Sequence, residues 1–367
     1  MILRVIDGTS GETVLESSDP SIDMTALAFA PDGTLYALAG NRLCRTTLPQ
    51  VAGGPVRHEP LAGDGFVRPR CLAVSADGTR IAVGDPDADA VFLFDARGKR
   101  TGTIGGIGPR KPGPWDGRTV DDPGAVAFAA DGRVWVCERT YTPKRITRYS
   151  ADGGFEQEFL GPPHYGGGGA IARDLKTFWY EACEYEVDFA AGTSRLVALN
   201  DVQANRDSAT LETNSYTFTK LFRPIDHGGR RYLVADVGAQ FSPGFVVTIY
   251  DAATKTVKPA AILAAAKNSA FLVREGKAWR SHWLAQDLEG SSYIWCDLND
   301  DGRGQVEEVQ LFKNASVTGD AKRSPFEGPY WGTLAGPDLT FWGPAARLAA
   351  TRFTPGGAPV YDQQRIQ

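Results

Sequence analysis

Ala26-Leu-Ala-Phe-Ala-Pro-Asp32-Gly33-Thr-Leu-Tyr36, Cys71-Leu-Ala-Val-Ser-Ala-Asp77-Gly78-Thr-Arg-Ile81 and Ala125-Val-Ala-Phe-Ala-Ala-Asp131-Gly132-Arg-Val-Trp135 are one segment written three times. Each reads as strand, Asp-Gly hairpin, strand. The Asp-Gly pair is expected to supply the positive φ angles of a tight turn, and the flanking runs are β-branched, aromatic or small. The copies start at residues 26, 71 and 125, that is 45 and 54 residues apart. After each second strand comes a further alternating run: LCRTTL, then AVFLFDARGKRTGTIG, then RITRYSADGGFEQEFLG. Four strands per unit at this period fit the blade of a β-propeller, which repeats radially and leaves only short protected edges.

Weaker copies follow in TFWYEACEYEVDFAAGTSRLVALN, in RRYLVADVGAQFSPGFVVTIYDAATKTVKPAAIL and in SYIWCDLNDDGRGQVEEVQLF. A partial unit begins near Pro337-Asp-Leu-Thr-Phe-Trp342, while ILRVID and GETVLES at the N-terminus resemble the outer half of a blade. The expectation is an all-β, single-domain β-propeller over residues 1–367, with seven four-stranded blades, or six, and a closing blade shared by the two termini. Ala260 to Lys267 reads as a short helix decorating a loop.

Composition agrees with many short elements and tight turns: 42 Gly and 23 Pro in 367 residues. A net charge of −5, with 39 basic and 44 acidic residues spread along the chain, leaves no electrostatic footprint for nucleic acid. No apolar run reaches the roughly 18 residues of a membrane helix, and Met1 runs into ILRVID with neither a charged n-region nor an apolar h-region. Trimming from a longer polypeptide would leave the same start. Cys44, Cys71, Cys137, Cys183 and Cys296 are far apart and set in apolar runs, so they are expected to be buried free thiols, with one disulfide as the alternative. The tryptophans of VWVC, FWY and YIWC are expected in the core.

Arg68-Pro-Arg-Cys-Leu-Ala-Val-Ser-Ala-Asp77-Gly, Arg80-Ile-Ala-Val-Gly-Asp85 and Ala90-Val-Phe-Leu-Phe-Asp95-Ala-Arg-Gly98 resemble the NHL repeat. There, a Pro-x-x-Leu/Val-Ala-Val start leads to an aspartate-ended second strand and a Phe-Asp-x-x-Gly third. The likeness covers residues 25 to 162 and weakens beyond. With the acidic, calcium-loop-like segment at 297–308 and the ending Thr354-Pro-Gly-Gly-Ala-Pro-Val-Tyr-Asp362, the chain also resembles NHL-containing regions of large exported bacterial proteins of unassigned function, which implies a propeller in an extracytoplasmic setting. The NHL superfamily includes binding scaffolds and enzymes alike. Relatives of the gluconolactonase and peptidyl-hydroxyglycine lyase groups hold a metal at the channel mouth, but their sites have no residue-by-residue counterpart here.

Asp297-Leu-Asn299-Asp-Asp301-Gly302-Arg303-Gly-Gln305-Val-Glu-Glu308 satisfies D-x-[DN]-x-[DN]-G-x5-E in full. Oxygen donors at positions 1, 3 and 5, a carbonyl at 7 and a carboxylate at 12 suit a calcium ion, and Gly at 6 permits the sharp turn. Asp297, Asn299, Asp301, Arg303 through its carbonyl, and Glu308 take those roles, with Gln305 acting through water. Gly304 departs from the β-branched apolar residue usual at position 8. YIWC and VQLF flank the loop as strands, so the expected role is structural.

A second pattern lies where second strands end. Asp85, Glu138, Asp236 and Asp297 each close such a strand, and Glu181 or Glu184 stands nearby in the fourth unit. Either each acid caps its own turn, or they converge on a funnel that holds a substrate or a second divalent cation, with mutually raised pKa values. Asp85, Glu181, Glu184, Asp236, Arg70 and Arg223 are therefore candidate funnel residues. His164 and Tyr165, on a glycine-rich loop, form with Glu138 and Arg145 the candidate catalytic set for a polysaccharide lyase or metal-dependent hydrolase. No nucleophile elbow, P-loop or dinucleotide fingerprint occurs. The sequence thus supports a module binding a glycan, peptide or small polar molecule, with a carbohydrate-active enzyme as the alternative.

Overall fold

The computed structural model describes residues 2–18, 24–49, 54–108, 110–140, 143–161, 169–180, 182–200, 223–236, 244–267, 269, 271–272, 277–326, 335–343 and 345–367. The chain forms two compact units, residues 1–110 with 116–162 and residues 111–115 with 163–367. Its fold class is the β-propeller, built of antiparallel meander sheets.

In unit one, β1 (Ile2–Ile6) and β2 (Thr13–Ser18) pair as a two-stranded ladder. Two four-stranded sheets follow, β3 (Met24–Phe29) to β6 (Arg57–Ala62) through β4 (Leu35–Ala39) and β5 (Arg42–Thr47), then β7 (Cys71–Val74) to β10 (Arg100–Gly105) through β8 (Arg80–Asp85) and β9 (Ala90–Asp95). After β11 (Gly113–Pro114), which belongs to unit two, the third sheet runs from β12 (Pro123–Phe128) through β13 (Val134–Glu138) and β14 (Arg145–Tyr149) to β15 (Phe155–Leu160).

The three Asp-Gly hairpins form where the repeats place them, with a different turn from the one expected. Only the glycines have positive φ, at 87°, 72° and 84° for Gly33, Gly78 and Gly132. Each glycine N–H closes a turn onto the carbonyl three residues back, in Ala30, Ser75 and Ala129. This is a type I turn followed by a left-handed bulge residue. The aspartate instead accepts the N–H of the residue two further on, Asp32 from Thr34 at 2.9 Å and Asp77 from Thr79 at 3.0 Å, as short acidic side chains do in turns.

The sheets stack because alternate residues of the middle sheet face opposite ways. Ile81, Val83, Phe92 and Phe94 pack with Tyr36, Leu38 and Leu43 of the first sheet. Ala82, Val91 and Leu93 pack with Val134, Val136 and Tyr149 of the third. A strand covered on both faces reads as a continuous apolar run, and each such valine, isoleucine or phenylalanine contributes about 1.5–3 kcal/mol on burial.

In unit two, β11 pairs with β19 (Thr193–Leu199), extending the sheet of β16 (Ala170–Ile171), β17 (Thr177–Tyr180) and β18 (Cys183–Asp188) to five strands. The next two expected repeats are one continuous six-stranded meander: β20 (Arg223–His227), β21 (Arg230–Asp236), β22 (Gly244–Asp251), β23 (Thr256–Ala265), β24 (Ser291–Cys296) and β25 (Val309–Lys313). The helix expected over Ala260 to Lys267 is instead the second half of β23. Its residues Ala260 to Ala264 are at most 1% exposed, and β23 is paired on both edges, Val246 to Ile262 and Ile262 to Trp295. Tertiary burial overrides the helical preference of alanine here.

One face of this sheet, including Phe245, Val247, Leu263 and Ile294, packs on Phe326, Leu339, Phe341, Leu348 and Tyr361. All but Phe326 belong to or flank the ladders of β26 (Phe341–Trp342) with β27 (Arg347–Leu348) and β28 (Arg352–Phe353) with β29 (Pro359–Val360). The other face, with Val246, Ile262 and Trp295, packs on Phe271 and on Trp279 and Trp283 of helix α1 (Lys277–Leu284). Trp179 and Trp295 are fully buried as expected, whereas Trp135 is half-buried and stacks on Phe159.

The five cysteines are free thiols. Four are buried, but Cys137 is exposed, because one-residue alternation in β13 puts it on the face opposite Val136 and Glu138. Among the described residues no helix is long and apolar enough to cross a membrane.

Candidate functional site

Asp85 closes β8 and is completely buried. Its carboxylate accepts N–H groups from Val67 at 2.7 Å, Arg68 at 3.0 Å, Asp87 at 3.1 Å and Ala88 at 3.2 Å. It caps the turn that follows its strand and ties that turn to the incoming segment from the preceding sheet. Four acceptor contacts on backbone leave it little capacity for a ligand.

Glu138, at the same place on β13, is 5% exposed and lies between two guanidinium groups. Arg110 donates to it at 2.9 Å and Arg145 at 2.8 Å. Arg145 is itself buried, and its remaining N–H groups go to Glu158 at 2.8 Å, the Thr119 carbonyl at 2.7 Å and the Gly117 carbonyl. Arg110 also stands 3.7 Å from Asp121. Burial pushes the Glu138 carboxyl above its ordinary range, opposed by the two arginines. The cluster is an ionic staple holding Arg110 and residues 117–121 to the third sheet, with the Arg110, Glu138 and Arg145 side chains at most 3% exposed.

Glu184, on β18, is likewise buried. It accepts from Lys255 Nζ at 2.6 Å, Asn200 Nδ2 at 2.8 Å and Tyr250 Oη at 2.9 Å. Asn200 in turn accepts from Trp179 Nε1 at 2.7 Å, so the group bolts the five-stranded sheet to β22 and its turn. Burial, with the neighbouring Glu184 charge, holds the Tyr250 hydroxyl well above the usual tyrosine range.

Other expected residues are placed less closely. Asp236 ends β21, paired with Phe245; its side chain lies outside the described residues, as do His164, Tyr165 and Glu181. Arg223 begins β20 and is exposed. Arg70 is exposed, its backbone N–H donating to the Gly84 carbonyl at 2.9 Å.

Around the buried acids of unit one runs an exposed polar rim. Arg68 is half exposed and pairs with Asp87 at 2.6 Å; Arg139, also half exposed, pairs with Asp122 at 2.6 Å. The Asp122 charge acts on Arg68, so the two pairs lie within electrostatic reach of each other, and Arg70, two residues on from Arg68, is exposed as well. In unit two a cavity of about 140 Å³ is lined by Ile171, Arg173, Pro224 and Asp226, below the roughly 300 Å³ at which small-molecule sites begin.

The twelve-residue loop after β24 is ordered by its own side chains. Asp297 is fully buried; its Oδ2 accepts the Gly302 N–H at 3.0 Å and lies 3.5 Å from Lys258 Nζ, while its Oδ1 has no hydrogen-bond partner. Asn299 accepts from the Asp301 N–H at 3.1 Å, and Asp301 accepts from the Arg303 N–H and from Gln305 Nε2, both at 2.8 Å. Glu308 is turned to the protein: Oε1 takes the Leu298 N–H at 2.7 Å and Oε2 the Trp295 indole N–H at 2.9 Å. Gly302 has φ of 71°, as a sharp turn at position 6 requires. Gly304 at position 8 is explained by packing, since a Cβ there would come within 2.8 Å of Trp279 and 2.9 Å of Phe271. Among the described residues no three His, Cys, Asp or Glu side chains converge closely enough to hold a metal.

The partners Arg110, Asn200, Tyr250 and Lys255 were not legible from the sequence. Arg110 is 28 residues from Glu138 and Lys255 is 71 from Glu184, and no local motif links them.

No family model matches the chain, and no curated protein matches it. Solved structures do resemble it at low identity. A nidogen/laminin complex matches at 14% identity over 70% of this chain and 87% of that one, TM-score 0.33. Hydrazine synthase of Kuenenia stuttgartiensis matches at 12% over 74% and 76%, TM-score 0.29. The dihydro-heme d1 dehydrogenase NirN matches at 14% over 97% and 64%, TM-score 0.31.

Proposed function

We propose that the chain is a non-catalytic β-propeller module, of the NHL kind in its first three blades, that binds a polar ligand through the exposed rim of unit one. The observation supporting this is a division of labour at the ends of the second strands. Asp85 and Glu138 are buried and consumed by backbone N–H groups and arginines, while Arg68, Arg70 and Arg139 remain at the surface around them. Arginines held at a border present planar donors suited to carboxylates, so the ligand class is an acidic peptide or an acidic glycan. The aspartate-ended second strand and the recurring Asp-Gly turn support the NHL assignment. An extracytoplasmic setting suits such a ligand and the exported proteins that the sequence resembles.

A catalytic role would require Glu138 and Arg145 to leave their buried pair. Nothing in their surroundings favours that, because separating a buried pair strands two charges.

The test is titration of the full chain with an oligo-glutamate peptide and, separately, with an oligouronate. Saturable, salt-sensitive binding of one of them, weakened about tenfold or more in an Arg68→Ala/Arg70→Ala/Arg139→Ala variant, is expected. No binding of either, or turnover of the oligouronate, would overturn the assignment.

A further inference from the structure

The loop over residues 297–308 carries donors that its own hydrogen bonds do not use. Asp297 is completely buried and its carboxylate is anchored into the loop through Oδ2 on the Gly302 N–H, yet Oδ1 is without a hydrogen-bond partner. Burying one carboxylate oxygen unpaired is costly. A second orphan lies in the same loop: buried Gln305 Oε1 faces only the Glu308 N–H, which already donates to the Gln305 carbonyl at 3.0 Å, while its Nε2 is fixed on Asp301 Oδ2 at 2.8 Å. Both orphans are acceptors, so what they lack is a donor or a cation.

The field at the loop already attracts positive charge. Lys258 reaches in from β23, donating to the Asp300 carbonyl at 2.8 Å and standing 3.5 Å from Asp297. All the free donors are oxygens, which select a hard divalent cation over zinc or copper. Their flexible spacing suits calcium better than the rigid octahedron of magnesium.

We propose that residues 297–305 form a calcium site whose protein ligands are Asp297 Oδ1, the Asn299 and Asp301 side chains, the Arg303 carbonyl and Gln305 Oε1, with Glu308 as a brace and not a ligand. Glu308 is excluded from the ligand set because it is buried and turned into the protein, its two oxygens on the Trp295 indole and the Leu298 N–H. The oxygens of Asn299 and Asp301 are instead exposed and hydrogen-bonded only within the loop, where the ion can replace those contacts. The site therefore differs from the twelve-residue helix-flanked pattern: it closes at position 9, between two strands of one sheet.

The ion would also fasten the end of the chain. Asp300, the loop residue with φ of 65°, accepts from Thr354 Oγ1 at 2.5 Å and from the Gly356 N–H at 2.8 Å. Fixing the loop thus fixes the turn at residues 354–357 that leads into β29.

Calcium chloride titration of the chelator-treated full chain, followed by calorimetry and by melting temperature, tests this. A saturable isotherm with Kd on the order of 10⁻⁴ M or below, as in extracellular calcium modules and tighter sites, is expected, with a rise in melting temperature that follows occupancy. Gln305→Ala and Asp301→Asn should each weaken calcium at least tenfold while leaving the chelator-treated melting temperature within a degree or two. Glu308→Gln should lower the melting temperature equally with and without calcium. Absence of binding up to about 10 mM calcium overturns the site. So does loss of binding in Glu308→Gln with Gln305→Ala unaffected, since that would restore the twelve-residue ligand set.

Discussion

Arg145 Nη1 and Glu138 Oε1 stand 2.8 Å apart at the ends of neighbouring strands, with side chains 0% and 1% exposed. A pair so enclosed is weak evidence of net stability against an apolar substitute, but removing one partner leaves the other charged in the core. Glu138→Gln removes the buried carboxylate shared by Arg110 and Arg145, leaving them only the partly exposed Asp121 and Glu158, and should cost about 3–5 kcal/mol, read as a shift of the urea midpoint at unchanged slope. A loss under about 1 kcal/mol would mean that the pair is as well solvated as a surface bridge.

Tyr250 supplies a pH-dependent signal. Burial and the Glu184 carboxylate both favour the neutral hydroxyl and raise its pKa. Removing the charge in Glu184→Gln lowers that pKa, so Tyr250 should ionise at lower pH than in the parent protein. Ultraviolet titration of tyrosinate absorbance, compared with Tyr250→Phe to isolate this ring, gives the direction; an unchanged curve would show that Glu184 does not act on it.

The thiols should react in a fixed order. Burial pushes Cys71 up to about 11 and Cys296 up to about 12, so at mildly alkaline pH neither carries appreciable thiolate, the reactive form. Cys137, being exposed, should be the first labelled by a thiol–disulfide reagent in the native protein. Cys71 and Cys296 should label only with denaturant present, and mass mapping of the labelled peptides decides the order.

Gly304 invites a substitution that the motif alone would recommend. Introducing valine, the residue type usual at position 8, would drive Cβ against Trp279 and Phe271. Overpacking of this kind costs about 1–3 kcal/mol, so Gly304→Val should lower the melting temperature, where the motif by itself forecasts a gain.

The legible part of this molecule was its local chemistry. Asp32-Gly33, Asp77-Gly78 and Asp131-Gly132 announced their hairpins, because a turn is decided by the residues in it. Where burial decides, the sequence misled. The alanines of 260–264 form a strand since both edges and both faces are occupied, and two apparent repeats proved to be one sheet because β23 pairs onward to β24. Strand-end acids were found, yet not their partners: Arg110 meets Glu138, and Lys255 meets Glu184, only through tertiary structure. Cys137 is a smaller case, its exposure set by a one-residue alternation that an apolar run hides.

If Asp85 and Glu138 hold the blades together while the arginines around them meet the ligand, the two roles separate by substitution. Asp85→Asn and Arg70→Ala, each measured for melting temperature and for binding of the acidic ligand, test it most directly. Asp85→Asn weakens an acceptor shared by four backbone N–H groups and should lose about 1–3 kcal/mol of stability with affinity kept. Arg70→Ala should melt with the parent protein and bind more weakly. The reverse result, an Asp85→Asn variant as stable as the parent but unable to bind or turn over ligand, would contradict the account and return the acids to a functional funnel.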